Sequence, residues 1–341
     1  MTNEQWNQLL AVLAGEVFEP IPVGFIIDSP WLPGWAGIST LDYYGSEEKW
    51  LAANFKALRE FPDAMFLPGF WSEFGMCTEP SAFGSKCRWA QDELPFADKV
   101  VKTIGDLAGI EKPNPRTDGL LPFVIRRLEL HRDRIEKQGH SIRFAVSRGP
   151  LNIATFLMGT TEFLMAIRTD PEETHRFLTL ITEFIVDWLR LQKERIPTIE
   201  GIFILDDIVG FLGEQDFRAA ALPYLKQIFG CLDVPVRFFH NDAQGLVTAK
   251  FLNEIGVNLF NFSFEHSLTQ MKELTANKVT LLGNIPPRDV LAQGTPADVA
   301  ASVKAAIEPL SDRSRVILSC GGGIPPQVPS ENIRAVLKAV R

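Results

Sequence analysis

Cysteine is scarce: Cys77, Cys87, Cys231 and Cys320 are the only four in 341 residues, too few and too scattered for a disulfide scaffold. No apolar run approaches the roughly 18 residues a membrane helix needs. The most apolar long helical stretch, "HRFLTLITEFIVDWLRLQ", carries Glu183 and Asp187 on its polar side. No Lys/Arg-rich run is present either, and 34 basic against 42 acidic residues give a net charge of −8. Nucleic acid and an anionic membrane surface are therefore not expected partners. "MTNEQWNQLL" lacks the basic start and apolar core of a signal peptide. These absences predict a reduced, cytoplasmic protein. With no clear linker, short repeat or low-complexity tract, residues 1–341 read as a single domain.

Eight apolar runs have strand character: 22–28, 63–69, 142–148, 201–207, 235–242, 257–263, 278–284 and 315–320. Helical patterns separate them. In "TDPEETHRFLTLITEFIVDWL", Asp170 stands at the cap, Pro171 at the first helical position and Glu173 three residues after the cap. Thr295 and Ser330 open later helices in the same way. Eight strand-then-helix units predict a (β/α)8 TIM barrel with extra helices in 85–140 and 152–198. An open doubly wound sheet is the alternative, but no GxGxxG turn follows an early strand.

In a barrel the chemistry gathers where strands end. Those ends hold Asp28, Trp71–Glu73, Arg148, Asp206–Asp207, His240–Asp242, Ser263–Glu265, Asn284 and Cys320. His240 and Asp242 alternate on an extended segment and share a face. With Cys320 they suit a three-ligand zinc site that keeps one position open. The alternative is that Cys320 packs as a small hydrophobe and no metal binds. Glu73 lies among Trp71, Phe74, Met76 and Phe83, with Trp31 and Trp35 near in the first loop. Such surroundings favour a neutral carboxyl able to deliver a proton, unless an arginine pairs with it. Of Asp206 and Asp207 only one can face the site, and the other caps the next helix or holds a loop. Gly321–Gly323 allow close backbone approach to a ligand or form a tight turn.

"SRGPLNIATFLMG", "DDIVGFLGEQDFRAAALPYLKQIF", "LLGNIPPRDVLAQGTPADV" and "GGGIPPQVPSENIRAVLKAV" resemble, in order and spacing, the uroporphyrinogen decarboxylase superfamily. The resemblance implies a (β/α)8 barrel. It also implies either a decarboxylase or a methyltransferase that exchanges methyl groups with a corrinoid protein. The arginine-rich N-terminal motif of the decarboxylases is absent from "IPVGFIIDSPWLPGWAG", and their Gly-His-Gly is Gly321-Gly322-Gly323 here. The coenzyme M methyltransferases carry His-x-Cys plus a distant Cys as zinc ligands. His240 matches the first, Asp242 stands at the second and Gly322 at the third.

The aromatic 67–90 segment and "SCGGGIPP" look most like enzymes that demethylate aryl methyl ethers. What this implies is transfer of a methyl group from a methoxylated aromatic to the Co(I) of a corrinoid (cobalamin) held by a partner protein. Glu73, His240 and Asp242 are then the catalytic candidates, and zinc on His240, Asp242 and Cys320 is the metal candidate. Trp31, Trp71, Phe74 and Met76 would hold the ring, with Asp28, Arg148, Asp207 and Asn284 as polar contacts. A zinc-dependent methylcorrinoid:thiol transferase and a non-catalytic accessory barrel remain the alternatives.

Overall fold

The computed structural model describes residues 1–341, and all eight expected strands form within it, shorter than their apolar runs. They are β1 Gly24–Ile26, β2 Met65–Leu67, β3 Phe144–Arg148, β4 Gly201–Leu205, β5 Val236–Asn241, β6 Leu259–Phe262, β7 Thr280–Ile285 and β8 Val316–Cys320. Strands β3 to β8 pair in chain order as one parallel ladder, and β1 pairs with β2. Parallel bridges Val23↔Leu318 and Ile26↔Gly323 join β1 to β8. No ladder joins β2 to β3, so the (β/α)8 ring has one seam.

An open strand edge leaves backbone groups that need partners. At the seam, side chains supply them. The Val146 N–H donates to Gln192 Oε1 and the Val146 carbonyl accepts from Gln192 Nε2, both at 2.9 Å. Two residues on, the Arg148 N–H donates to Glu79 Oε1 at 3.0 Å. Gln192 comes from the long helix Pro171–Arg195, and Glu79 from the segment after β2. The extra helices expected from sequence are Leu121–Lys137, Pro150–Met158, Thr160–Thr169 and Pro171–Arg195. No single helix is long and apolar enough to cross a membrane.

Strand periodicity divides the core in two. Phe144, Val146, Phe203, Leu205, Phe238, Leu259, Leu282 and Ile317 point into the barrel. There they meet Trp6, Leu9 and Val12 of the helix Asn3–Ala14, which plugs the end away from the strand C-termini. Ala145, Ile202, Ile204, Phe239, Phe260, Leu281, Leu318 and Cys320 point outward into the helix layer. Asp206 also lies outside the site. It accepts from the Leu151 N–H (2.8 Å) and the Asn152 N–H (3.2 Å), capping Pro150–Met158, the helix after β3, rather than the helix that follows its own strand. Burial pushes its carboxyl up to about 8, with neighbouring Asp207 adding to the effect. Asp206→Ala is expected to lower the unfolding free energy by about 1–2 kcal/mol, the usual worth of a lost cap, as read by urea denaturation. An unchanged midpoint would remove the capping role.

Candidate active site

Two residues beyond the inward apolar layer, the same columns turn polar. Ile26 is followed by Asp28, Val146 by Arg148, Leu205 by Asp207, Phe238 by His240 and then Asp242. Leu259, Leu282 and Ile317 lead to Asn261, Asn284 and Ser319. Period 2 thus assembles the mouth directly.

His240 is the best determined of these groups. Asn261 Nδ2 donates to the Leu282 carbonyl (2.7 Å) and the Cys320 carbonyl (3.2 Å), so its oxygen must face the imidazole. Nδ1 of His240 lies 2.8 Å from that oxygen and is therefore the N–H donor. Nε2 is left with its lone pair, the tautomer a metal ligand needs. It points toward Asp207 Oδ1 (3.5 Å) and Asp242 Oδ2 (4.0 Å). The ligating atoms of Asp207, His240 and Asp242 all lie within 4.8 Å of one another. His240 is 8% exposed, Asp207 35% and Asp242 47%, so the set opens toward the mouth.

Cys320 does not join this set, contrary to the sequence expectation. Its side chain points into the outer layer with Leu318, and its Sγ lies 3.3 Å from the Gly322 carbonyl. Burial pushes the thiol up to about 12, which disfavours a ligating thiolate. The inward neighbour is Ser319, whose buried Oγ has no hydrogen-bond partner. The third group in the cluster is Asp207, expected from sequence to be only a polar contact. One imidazole and two carboxylates fit a divalent first-row cation such as zinc or manganese. Gly322 makes room for the set: with φ +111°, a Cβ there would fall 2.8 Å from Asp242 Oδ2.

Burial raises the Asp207 carboxyl to about 6, reinforced by repulsion from Asp242 and opposed by His240. Protons therefore compete with a cation for this group. Zinc or manganese affinity, measured calorimetrically, is expected to be level above about pH 6 and to fall at least roughly tenfold per unit below it. Constant affinity between about pH 5 and 7 would count against Asp207 as a ligand.

On the other side of the mouth, Glu73 is not the free acid expected from its aromatic neighbours. It is buried, Oε2 accepts from Arg148 Nη2 (3.2 Å) and Oε1 accepts from Ser29 Oγ (2.7 Å). Both oxygens are engaged. Burial opposes the charge on Arg148, but Glu73 and Glu79 outweigh it and raise the guanidinium pKa. Asp28 is the group with acid character. Its Oδ1 is sealed from solvent without a partner. Burial, then the Glu73 and Asp242 charges, hold its carboxyl well above the usual range, against the pull of Arg148. A Cβ on Gly323 would lie 3.8 Å from that oxygen, so Gly322 and Gly323 adjoin Asp242 and Asp28 in turn.

The expected ring wall divides. Trp71 belongs to the barrel interior, edge-on to Phe203 at 5.9 Å and with the Arg148 guanidinium 5.8 Å from its ring. Phe203 stacks on Phe238 at 4.3 Å and lies 6.4 Å from the His240 ring. Trp71, Phe203 and Phe238 are thus buried in the barrel core beneath the polar layer and do not form the wall read from sequence. Phe74 packs instead with Tyr44 and Trp89 under Arg127, and Trp31 stacks on Trp35 while donating from Nε1 to the Val328 carbonyl. Met76 is half-buried and belongs to neither apolar cluster. Asn284 donates to the His266 carbonyl, which braces the loop after β6.

The chain matches the family model described as Uroporphyrinogen decarboxylase (URO-D) over residues 5–341. It belongs to the uroporphyrinogen decarboxylase family. Relatives named uroporphyrinogen decarboxylase include those of Campylobacter curvus (26% identical, 77% of this chain and 76% of the relative) and Vibrio campbellii (25%, 83% and 80%). Among solved structures, a methyltransferase from Methanosarcina mazei has a TM-score of 0.81 at 20% identity, covering 98% of this chain and 97% of its own. A B12-independent methionine synthase from Shewanella sp. W3-18-1 reaches 0.58 at 10% identity over 94% and 95%. These likenesses bear on the fold, and the fold is that of the URO-D family barrel. The residues sequence reasoning passed over are Asn261, Glu79, Phe203 and Phe238. Asn261 alone left a signal, as a polar residue inside the apolar run "LFNF".

Proposed function

We propose that this member of the family is a methyltransferase that takes the methyl group of an aryl methyl ether and delivers it to the Co(I) of a corrinoid carried by a partner protein. One observation carries the reading: the Asp207–His240–Asp242 cluster and a carboxyl with one buried, unpartnered oxygen, Asp28, share one barrel mouth. The same mouth is a poor receptor for a porphyrinogen with many carboxylates. It holds Asp28, Glu73, Asp207 and Asp242, and its arginine is already paired with Glu73.

In the proposed reaction the methyl group would pass to the Co(I) acceptor of the partner protein as the CH3–O bond of the ether breaks. That bond's electrons go to the oxygen, and the Asp28 proton converts the departing phenolate to the phenol. A divalent cation bound by Asp207, His240 and Asp242 would act as a Lewis acid toward the ether oxygen. Asp28 offers charge stabilisation that grows as the bond breaks, which is the kind that lowers a barrier. Glu73 holds Arg148 in place beside Trp71.

The test is anaerobic: protein, Co(I) corrinoid and a panel of methoxylated phenols, followed by the absorbance change from Co(I) to methyl-Co(III). Methylation with equimolar release of the phenol is the expected result. No methylation by any donor, with free cobalamin and with a corrinoid protein from the same source, would overturn the reading.

A further inference from the structure

A cavity of about 590 Å3 opens beside the mouth, between the loops after β1 and β8 and the segment 92–94. Its inner end is Ser29, next to Asp28 and bonded through Oγ to Glu73. One wall is the Trp31–Trp35 stack, with centroids 4.8 Å apart. Asp92 and Glu93 stand on the rim, and no lysine or arginine lines the space. The nearby Lys56 sits over the Trp35 ring at 4.4 Å and donates to the Trp35 carbonyl at 3.3 Å.

We infer that this cavity receives the ring substituent of the substrate and selects an uncharged or ammonium-bearing substituent over a carboxylate. The inference rests on the methoxyarene reading above and adds the substrate class. A ring held at the mouth with its ether oxygen toward Asp28 would send its substituent past Ser29 into the cavity. There an apolar group gains the tryptophan wall. A carboxylate would lose water between Glu73, Asp92 and Glu93 with no cation to replace it. An ammonium would meet those same carboxylates favourably, the more so at low salt.

Gly34 allows the space to be filled without strain. It lines the cavity, and nothing lies within 4 Å of a Cβ built on it. The experiment is calorimetric binding to the full chain, without corrinoid, of methoxyphenols bearing an ethyl, aminoethyl or carboxyethyl group at one ring position. The unsubstituted parent is measured alongside. The carboxyethyl probe is expected to bind at least roughly tenfold more weakly than the ethyl probe, and the aminoethyl probe at least as well. D92N/E93Q should narrow the ammonium–carboxylate gap. G34L should weaken the ethyl probe more than it weakens the parent.

Equal affinities for the three substituted probes, or G34L weakening the parent as much as the ethyl probe, would overturn the inference. Methyl transfer read on the same compounds separates the two proposals. If the carboxylate reacts as readily as the ethyl compound, the subsite falls and the methoxyarene reading stands. If binding discriminates as described but no compound donates a methyl group, the subsite stands and the reading falls. Absence of binding by every probe removes both.

Discussion

His240→Ala is expected to abolish stoichiometric divalent-cation binding, whereas Cys320→Ala leaves it intact. The two substitutions separate the Asp207–His240–Asp242 cluster from the ligand set suggested by sequence. Nε2 of His240 is the nitrogen donor of the set, with Asp207 and Asp242 at 3.5 and 4.0 Å. Without it two adjacent carboxylates remain, and Asp207 already resists ionisation beside Asp242. Cys320 Sγ faces the helix layer, so its loss removes packing volume and no ligand. Asn261→Ala provides an intermediate. It frees the imidazole to change tautomer and rotate, and loss of such an outer partner typically costs about 10–100-fold in metal affinity. Zinc content after dialysis against a weak chelator, measured by mass spectrometry, should rank wild type and Cys320→Ala together, then Asn261→Ala, then His240→Ala. Loss of zinc in Cys320→Ala with native circular dichroism would restore the thiol as a ligand and refute the present set.

The error over Cys320 shows where sequence reading reaches its limit here. On β5 the side of each residue was legible because "FFHND" leaves the apolar run with alternating polar groups. Through "VILSC" both faces are apolar, since a parallel barrel strand is buried on both sides. Nothing there told inward Ser319 from outward Cys320. Glu73 failed for a different reason. Its aromatic neighbours in sequence are Trp71 and Phe74, but the loop sends Trp71 inward and Phe74 outward, and Arg148 reaches it across the seam. That seam is itself invisible in sequence, because Gln192 and Glu79, which pair the β3 edge, lie far from it along the chain. The eight strands, and the fact that only one of Asp206 and Asp207 faces the mouth, were legible because each depends on local periodicity. That Asp206 caps Pro150–Met158 and not the next helix was not, since that helix lies far earlier in the chain.

Asp28→Asn is expected to lower kcat/KM for methyl transfer by about 10²–10⁴, the usual contribution of a positioned proton donor, with little change in binding of the methoxyarene. The amide keeps the shape and neutrality of the protonated carboxyl and removes only the proton. The pH profile tests the assignment independently. A donor must be protonated, and the folded Asp28 holds its proton to higher pH than an ordinary carboxyl because it is buried near Glu73 and Asp242. Wild-type activity should therefore fall as pH rises through that raised value, and the fall should vanish in Asp28→Asn. The same proton affects stability. Where pH lies between the unfolded and folded pKa values, the native state binds the extra proton and stability declines as pH rises. Asp28→Asn removes that slope, so its thermal midpoint should gain on wild type as the solution becomes more alkaline. Glu73→Gln is the contrasting variant. It removes the carboxylate that accepts from Arg148 Nη2, a change worth about 3–5 kcal/mol for a buried pair, and should lower the thermal midpoint without flattening the activity profile. If Glu73→Gln instead flattened the pH profile while Asp28→Asn retained it, the proton donor would be Glu73, and the ion pair with Arg148 would have to open during turnover.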